Sequence, residues 1–512
     1  MRRVAAGVLA LATAFGGMAI GATTATAATN RDSYADTLGD ATFEAARQRY
    51  GLTEDMSHGT ILHAWMWSFN TITANMKDIA EAGYTSIQTE PMSHIKTNTA
   101  NGKKFTENWY YVYQPTSTSI GNFVVGTQDD LKRMCAEAHK YGIRIIVDVV
   151  ANHFTSDWNA IDSSWKDASL FHKRSNCSGA NGDNINYGNR WQVTQCHLLG
   201  LWDINTQNQT AANKMKEFLV QAVNDGVDGF RFDAAKHVEL PDELGEHSVY
   251  WDTILENGAQ YQYGEVLQGD SGLDYRAYAN LMTNHSSRGG GNTASDYGRT
   301  VRSAVKSRNL SAGSLSNMSK GGVADDQLVT WVESHDNYAN GDKESTYLTN
   351  DQLRFGWALV ASRSAGAPLY FNRPVGSGGT NPQFAEVSQL GDAGDGMWKD
   401  KAVVQVNKFH NKMDGNAEYL RNCPNNGSCL MVERYAKDGQ SANDGVVITN
   451  MGGDTSLAGT ATTLDDGTYT DQVNGGAITV SGGKITAGTA KGNAVSAYYS
   501  QEKAEQVAYV RL

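Results

Sequence analysis

The run IRIIVDVV at residues 143–150 is the clearest indication of the fold class, because it is apolar almost without interruption. Strands with this pattern are buried on both faces, as in parallel sheets covered by helices. Six more candidate strands lie at residues 60–67, 84–91, 227–233, 261–267, 328–333 and 367–371. Amphipathic segments separate them; residues 211–224, for example, place Met215, Phe218, Leu219, Ala222 and Val223 at helical spacing. The alternation predicts an α/β fold, a (β/α)8 TIM barrel, with its remaining strand between Leu267 and Leu328, near residues 294–297.

Two departures from this alternation divide the chain. About 75 residues separate Val150 from the next strand, far more than the usual 2–6. Residues 152–202 are rich in Asn, Gly, Ser and Trp, and we expect a small subdomain inserted after strand 3. Beyond residue 413, short β segments separated by Gly, Asp and Asn predict a C-terminal all-β domain. The predicted boundaries are 28–151 and 203–412 for the barrel, 152–202 for the insert, and 413–512 for a C-terminal β-sandwich.

Composition narrows the class of protein. The 512 residues include 43 basic and 55 acidic ones, a net charge of −12, and 40% are hydrophobic. Such a chain is too apolar for a disordered protein. Without basic tracts it is a poor candidate for binding nucleic acid or anionic lipid. We therefore expect no nucleic-acid or membrane partner. We also expect the protein to be a monomer.

The first 27 residues have the features of a secretory signal peptide. Arg2 and Arg3 precede an uncharged apolar stretch over residues 4–20, and Ala-Thr-Ala at 25–27 suits cleavage. A membrane anchor is the alternative, although the stretch is short for a span of about 20 residues; twin-arginine export is a weaker option. We expect a secreted, extracellular protein.

An exported chain with five cysteines is expected to form disulfides. Cys423 and Cys429 flank a tight loop, and Cys177 and Cys196 share one Gly/Asn-rich region, so we expect both pairs to be bonded. Cys135 lies in a helical pattern and is expected to be a buried free thiol.

Polar residues stand at the carboxyl ends of the predicted strands, where parallel barrels carry their active sites. The segments are DVVANH (148–153), GFRFDAAKH (229–237), YGEV (263–266) and WVESHDN (331–337). Three acids, Asp233, Glu265 and Asp336, would converge on one rim of the barrel. A structural ion-pair network is the alternative for any one of them; three together favour catalysis.

Several chemistries lack their motifs. The sequence has no GxxxxGK[ST], no strand-linked GxGxxG and no GxSxG. Paired carboxylates with aromatic neighbours suit glycoside hydrolysis, since its transition state is positively charged and its substrate is a ring.

The four segments resemble the four conserved regions of the α-amylase family (glycoside hydrolase family thirteen), in its order and spacing. The resemblance covers nearly the whole mature chain. It is closest to secreted bacterial saccharifying enzymes, through ILHAW, NWYYVYQP, GFRFDAAKHVELP and LVTWVESHDNYAN. It implies retaining endo-hydrolysis of α-1,4-glucosidic bonds in starch, glycogen and maltooligosaccharides.

The resemblance also implies a role for each matched residue. Asp233 would be the nucleophile, Glu265 the general acid/base and Asp336 the third carboxylate, with Arg231 keeping Asp233 ionised. The implied substrate contacts are His153 and His335 at the cleaved sugar, Lys236 and His237 on the leaving-group side, and a platform of Tyr113 and Gln114 with Trp109 and Tyr110. Ordinary core packing is the alternative for the aromatic run.

The family also implies a structural Ca2+ between barrel and insert. The matching positions are Asn152, Asp203 and the backbone carbonyls of Thr194 and His237, although Asn152 by itself could simply cap a loop. Some relatives bind an activating chloride through residues matched by Arg231 and Arg373. Ser334 stands where those relatives have Asn, which makes chloride doubtful here.

Two other functions remain open. An exo-acting, transglycosylating or α-1,6-active member of the family would share the four segments. A non-catalytic glucan-binding protein would be expected to lack some of the acids, and all three are present. For the C-terminal domain a structural cap is favoured over a starch-binding role.

Overall fold

The computed structural model describes residues 40–97, 102–319, 322–377, 383–436 and 444–499. The predicted signal peptide lies outside these ranges. No helix within them combines the length and the apolar character needed to cross a membrane.

Eight parallel strands close a barrel in chain order, and all seven strands identified in the sequence are among them. Strands β1 to β8 are Ile61–His63, Ser86–Thr89, Arg144–Val150, Gly229–Asp233, Tyr261–Gly264, Gly290–Thr293, Leu328–Trp331 and Ala367–Phe371. The helices that follow them, α1 to α8, are Phe69–Glu81, Gln128–Lys140, Gln209–Asn224, Tyr250–Ile254, Tyr275–Asn284, Ser295–Ser307, Asn350–Ala361 and Lys401–Lys412. A helix at Asp40–Tyr50 precedes the barrel. All seven residues of β3 are buried, as its apolar run predicts.

The predicted position of strand 6, near residues 294–297, is wrong. The strand is Gly290–Thr293, and Ser295 already begins α6. A Cβ on Gly290 would lie 2.1 Å from the Gln262 carbonyl oxygen, and one on Gly291 only 1.9 Å from that of Gln327. Close approach of neighbouring backbone therefore requires glycine here, which removes the apolar pattern that marks the other strands.

The two ends of the segment inserted after β3 pair with each other as a short two-stranded ribbon. His153–Phe154 pairs antiparallel with Trp202–Asp203, so both ends of the insert leave the barrel together. Between them lie short turns and one helix, Arg190–Gln195, and the disulfide Cys177–Cys196 is confirmed. A second excursion follows β2: strands Ser93–Ile95, Pro115–Asn122 and Gly126–Thr127, with the short helix Phe105–Asn108 and the turn Trp109–Tyr113.

The region after α8 is built of strands, as predicted. A four-stranded antiparallel sheet contains Ala417–Cys423, Asn426–Tyr435, Gly445–Asn450 and Ala494–Tyr499. The smaller sheets contain Gly467–Thr470, Ala477–Ser481 and Lys484–Ala487, and Thr455–Ser456 with Thr489–Ala490. Apolar side chains from these sheets form one cluster. The Cys423–Cys429 bond and the buried free thiol of Cys135 are both confirmed.

Candidate active site

The carboxyl ends of the barrel strands open into a cleft of about 770 Å³. Asp233 is the last residue of β4, Glu265 directly follows β5, and Asp336 lies in the short helix His335–Ala339 after β7. The cleft is lined by Trp109, Tyr110, Tyr113, Gln114, His153, Asp233, Lys236, His237, Glu265, His335 and Asp336. The fold thus brings together the side chains predicted to bind and cleave substrate.

Arg231 lies beneath this cleft and is only 4% exposed. Its Nη1 is 2.9 Å from Oδ1 of Asp233, and its Nη2 is 3.1 Å from Oε2 of Glu265. The same Nη1 donates to both oxygens of Asp148, at 2.9 and 2.7 Å. One guanidinium therefore bridges the two catalytic candidates and is itself held by a third, fully buried acid. The sequence reasoning gave Asp148 no role, although it lies in the DVVANH segment.

A left-handed turn fixes the second contact of Glu265. Ala234 has φ of 49°, in the region that residues other than glycine rarely adopt. This turn directs its N–H to Oε2 of Glu265, at 2.9 Å. The same oxygen faces Arg231, so Oε2 is held by two donors, while Oε1 makes neither of these contacts.

The acids share one electrostatic environment. Burial raises the pKa of Asp233 well above its usual range, while the Arg231 guanidinium opposes that rise. Burial likewise raises the pKa of Asp148 to about 6, again against Arg231. Acids this close to one another titrate as a coupled group rather than as separate residues.

The histidines of the cleft are neutral. Burial lowers the pKa of His153 to about 4 and that of His335 to about 3. His335 stacks on the Tyr113 ring, with centroids 5.2 Å apart and planes 9° apart. Nε2 of His153 lies 3.1 Å from the Tyr113 carbonyl oxygen, so its N–H already has an acceptor in the protein. Tyr113 is thus tied to both histidines and is not simply a core residue.

The expected leaving-group side contains a pair that the sequence did not reveal. Nζ of Lys236 is 2.8 Å from Oδ2 of Asp270, and it also lies 5.1 Å from the centre of the Tyr187 ring. His237 is close by; burial lowers its pKa to about 3, and its Nδ1 is 2.8 Å from the Val193 carbonyl oxygen of the insert. Asp270 and Tyr187 also line the cleft. A carboxylate within five residues of Glu265 was the only sequence signal for this pair.

The predicted metal ligands are all buried. Asn152 and Asp203 are 1% exposed and Thr194 is 0% exposed. Asp203 accepts from Nδ1 of His172 through Oδ2 at 2.6 Å, while its Oδ1 is buried without a hydrogen-bond partner among the described residues. An orphaned carboxylate oxygen beside amide and carbonyl oxygens is a donor set that fits a hard cation.

Arg373, one of the candidate chloride contacts, belongs to a different site. Its Nε and Nη2 each lie 2.7 Å from an oxygen of Glu333, and Nη1 and Nη2 also donate to the carbonyls of Leu348, Ser377 and Ser345. All three of its nitrogens are therefore engaged by protein oxygens. The structure shows Arg373 as half of a buried ion pair.

Comparison with known proteins identifies the family. The sequence model described as "Alpha amylase, catalytic domain" matches residues 41–300, about half of the chain. The chain belongs to the alpha-amylase family. It is 37% identical over 466 residues to an alpha-amylase of Clostridium acetobutylicum, covering 88% of this chain and 55% of the relative. An alpha-amylase of Butyrivibrio fibrisolvens is also 37% identical, over 83% of this chain and 45% of its own. The chain spans about half the length of these relatives.

A solved alpha-amylase has the same fold. The structure of a variant of alpha-amylase I from Eisenia fetida, in complex with maltohexaose, aligns with a TM-score of 0.66 at 19% identity. The alignment covers 88% of this chain and 98% of that one. At this identity the likeness concerns the fold: the barrel together with its β-rich C-terminal part.

Proposed function

We propose that this chain hydrolyses internal α-1,4-glucosidic bonds of starch, glycogen and maltooligosaccharides, with retention of configuration. The observation that carries the proposal is the Arg231 guanidinium, which contacts Asp233 and Glu265 together on the floor of the cleft. Two carboxylates held side by side in this way suit a nucleophile and an acid/base. The names of the relatives and the maltohexaose in the Eisenia structure support an α-glucan as the substrate class.

In the first step Glu265 donates the proton of its Oε1 to the glycosidic oxygen while Asp233 attacks the anomeric carbon. The glycosidic bond breaks, its electron pair leaves with the protonated aglycone, and a β-glycosyl ester forms on Asp233. Glu265, now ionised, then removes a proton from water. That water attacks the anomeric carbon and releases Asp233. Two inversions give retention, for which the two carboxyl groups are expected about 5–5.5 Å apart.

The remaining side chains bind and shape the sugar. Asp336 is 34% exposed at the cleft surface, and its Oδ1 accepts from Nδ2 of Asn340 at 3.0 Å. We expect it to accept hydrogen bonds from sugar hydroxyls as the ring flattens in the transition state. Tyr113 presents a flat face for the ring. Lys236, held by Asp270, is placed to meet the leaving group.

Products from starch and from end-blocked substrates test this function. We expect iodine-binding capacity to fall well before reducing ends approach their final number, because internal cleavage shortens chains quickly. A maltoheptaoside blocked at its non-reducing end should be cleaved, and proton NMR should show α-anomers first. Failure on the blocked substrate would indicate exo action. Products longer than the substrate would indicate transglycosylation, and pullulan cleavage would indicate α-1,6 activity.

We also propose a structural Ca2+ held by Asn152, Asp203 and the carbonyls of Thr194 and His237. The orphaned Oδ1 of Asp203 supports it. So does Glu239, a second buried acid whose negative charge acts on Asp203. No group of three or more His, Cys, Asp or Glu side chains in the described ranges could hold a metal, so the set relies on amide and backbone oxygens. A bound ion would neutralise Asp203 and tie the insert to the turn after Asp233.

Exhaustive chelation is expected to lower the melting temperature by about 3–4 °C, since a ligand near 100 times its Kd contributes about 2.7 kcal/mol and a barrel of this size has a large unfolding entropy. Added Ca2+ should restore it, and Mg2+ should not. D203N should melt near the chelated wild type and respond to neither reagent. An unchanged wild-type melting temperature, or an equal response in D203N, would contradict the site.

Secretion and a monomeric state stay predictions. Mass spectrometry of the mature N-terminus after export tests cleavage near Ala27, and light scattering of the purified chain tests its oligomeric state.

A further inference from the structure

Glu90 is a buried acid that the mechanism above does not use. It directly follows β2 and is 0% exposed. Its Oε1 lies 2.9 Å from Nε2 of His63, and its Oε2 accepts from the Tyr113 hydroxyl at 3.2 Å. Burying a carboxylate costs free energy unless it is compensated, so its place beside the active site needs a reason.

A continuous hydrogen-bonded path runs from Glu90 to the catalytic candidates. The Tyr113 hydroxyl, which donates to Glu90, also lies 3.1 Å from Oδ2 of Asp148. Asp148 accepts from Nη1 of Arg231, and Arg231 contacts Asp233 and Glu265. One phenolic proton therefore serves two carboxylates, and the second of these holds the arginine that bridges the catalytic pair.

A second contact connects Glu90 to Asp336. The His63 ring meets the His335 ring edge to face, with centroids 5.6 Å apart. Nε2 of His335 is 3.6 Å from Oδ1 of Asp336. Glu90, at the carboxyl end of β2, is thus linked through these contacts to all three catalytic candidates, Asp233, Glu265 and Asp336.

Titratable and charged groups surround Glu90. They are His63 on β1, Tyr113 on the turn after β2, Asp148 on β3, Arg231 on β4 and His335 after β7. Burial alone would raise the pKa of Glu90. The hydrogen bond from His63 is the largest of the opposing interactions, and together they hold that pKa below its usual range. Glu90 is therefore a fixed negative charge in a fully buried part of the barrel.

We propose that Glu90 is a positioning residue whose fixed negative charge, linked through Tyr113, Asp148 and Arg231 to the catalytic pair, sets the pH range in which that pair is active. A nearby negative charge favours the protonated form of an acid. The charge of Glu90 would therefore hold both limbs of the pH profile at higher pH than the pair would show without it. The inference rests on the proposed hydrolysis and goes beyond it, because it assigns a residue that touches neither substrate nor the reacting atoms.

E90Q tests the charge with little change of shape. Removing a negative charge makes every neighbouring acid easier to ionise. The kcat/KM–pH profile on a soluble maltooligosaccharide has an acid limb, where activity rises with pH, and an alkaline limb, where it falls. Both limbs should then move to lower pH, by about 0.5–1 unit. Relative to wild type, E90Q should lose activity on the alkaline side and retain more on the acid side. A purely structural role would lower the melting temperature or kcat and leave the limbs in place.

Three further variants test whether a shift of the limbs comes specifically from the charge of Glu90 and its link through Tyr113. E433Q removes another fully buried acid, in the C-terminal sheet, where it accepts from Thr463; its limbs should match wild type. E90D keeps the charge with a shorter side chain, so its limbs should stay within about 0.2 unit of wild type even if it melts earlier. Y113F removes the donor from two acids and should move the acid limb upward, opposite to E90Q. This variant decides the matter should E90Q not fold.

Limbs of E90Q that coincide with those of an active wild type, or that move to higher pH, would overturn the inference. So would a downward shift as large in E433Q. Y113F limbs that stay in place while E90Q is unfolded would also overturn it. A wild type that hydrolyses no α-glucan would instead overturn the proposed function, so the two failures are distinguishable.

Discussion

Replacing Asp233 by Asn is expected to lower kcat on starch by about 10⁴-fold or more, while the protein still folds. The amide is nearly the same size as the carboxylate, and its oxygen can still accept from Nη1 of Arg231, which lies 2.9 Å away. It cannot form the glycosyl ester, because a neutral amide is a poor nucleophile. The measurements are reducing-sugar release and circular dichroism.

Glu265→Gln should fail on starch to a similar degree, yet a different substrate separates the two roles. In α-maltosyl fluoride the leaving group departs without protonation, so the first step needs the nucleophile and not the acid. E265Q should therefore release a burst of about one fluoride per enzyme molecule and accumulate a covalent adduct visible by mass spectrometry. D233N should give neither.

Glu217→Gln is the matched control, because Glu217 lies on the exposed face of α3, away from the cleft. Its activity should equal that of wild type. An active D233N, or a covalent adduct in D233N and not in E265Q, would show that the two roles are assigned wrongly.

The fold could be predicted from the sequence wherever a buried strand consists of apolar side chains. Strand β3 is apolar because both of its faces are covered, and the strands that share this property were identified. Strand β6 could not be found in the same way, since the backbones around Gly290 and Gly291 approach too closely for any side chain. A pattern of hydrophobic residues cannot show where a strand is held by the absence of side chains.

A similar distinction applies to the site: acids at strand ends could be predicted from the sequence, and their interaction partners could not. Acids that end a strand, such as Asp233, could be placed at the barrel rim from topology and family resemblance. The partners of these acids could not, because an ion pair depends on which residues from separate strands meet. Glu90 directly follows its strand as Glu265 does, and that was the available signal. Its link to Arg231 through Tyr113 needed coordinates. The Lys236–Asp270 pair and the turn at Ala234 were hidden for the same reason.

Replacing Arg231 is expected to have the second large effect, because no single residue could substitute for its geometry. Its planar group serves Asp148, Asp233 and Glu265 at once, at distances of 2.7–3.1 Å. A lysine carries the charge on one nitrogen and cannot span three carboxylates. We expect R231K to lower kcat/KM by about 10²-fold and R231Q by about 10³-fold at neutral pH.

The pH profile distinguishes the lost charge from the lost geometry. A positive charge favours the ionised form of a carboxyl, so its removal makes Asp233 harder to ionise. The acid limb of R231Q should therefore move to higher pH by at least about one unit, opposite in sign to E90Q, whereas that of R231K should move less. R231Q should also melt earlier, since removing one partner of a buried ion pair costs about 3–5 kcal/mol unless the acids take up protons. An R231Q enzyme with an unmoved acid limb would mean that Asp233 is not ionised through Arg231, and the assignment of Asp233 as nucleophile would lose its electrostatic basis.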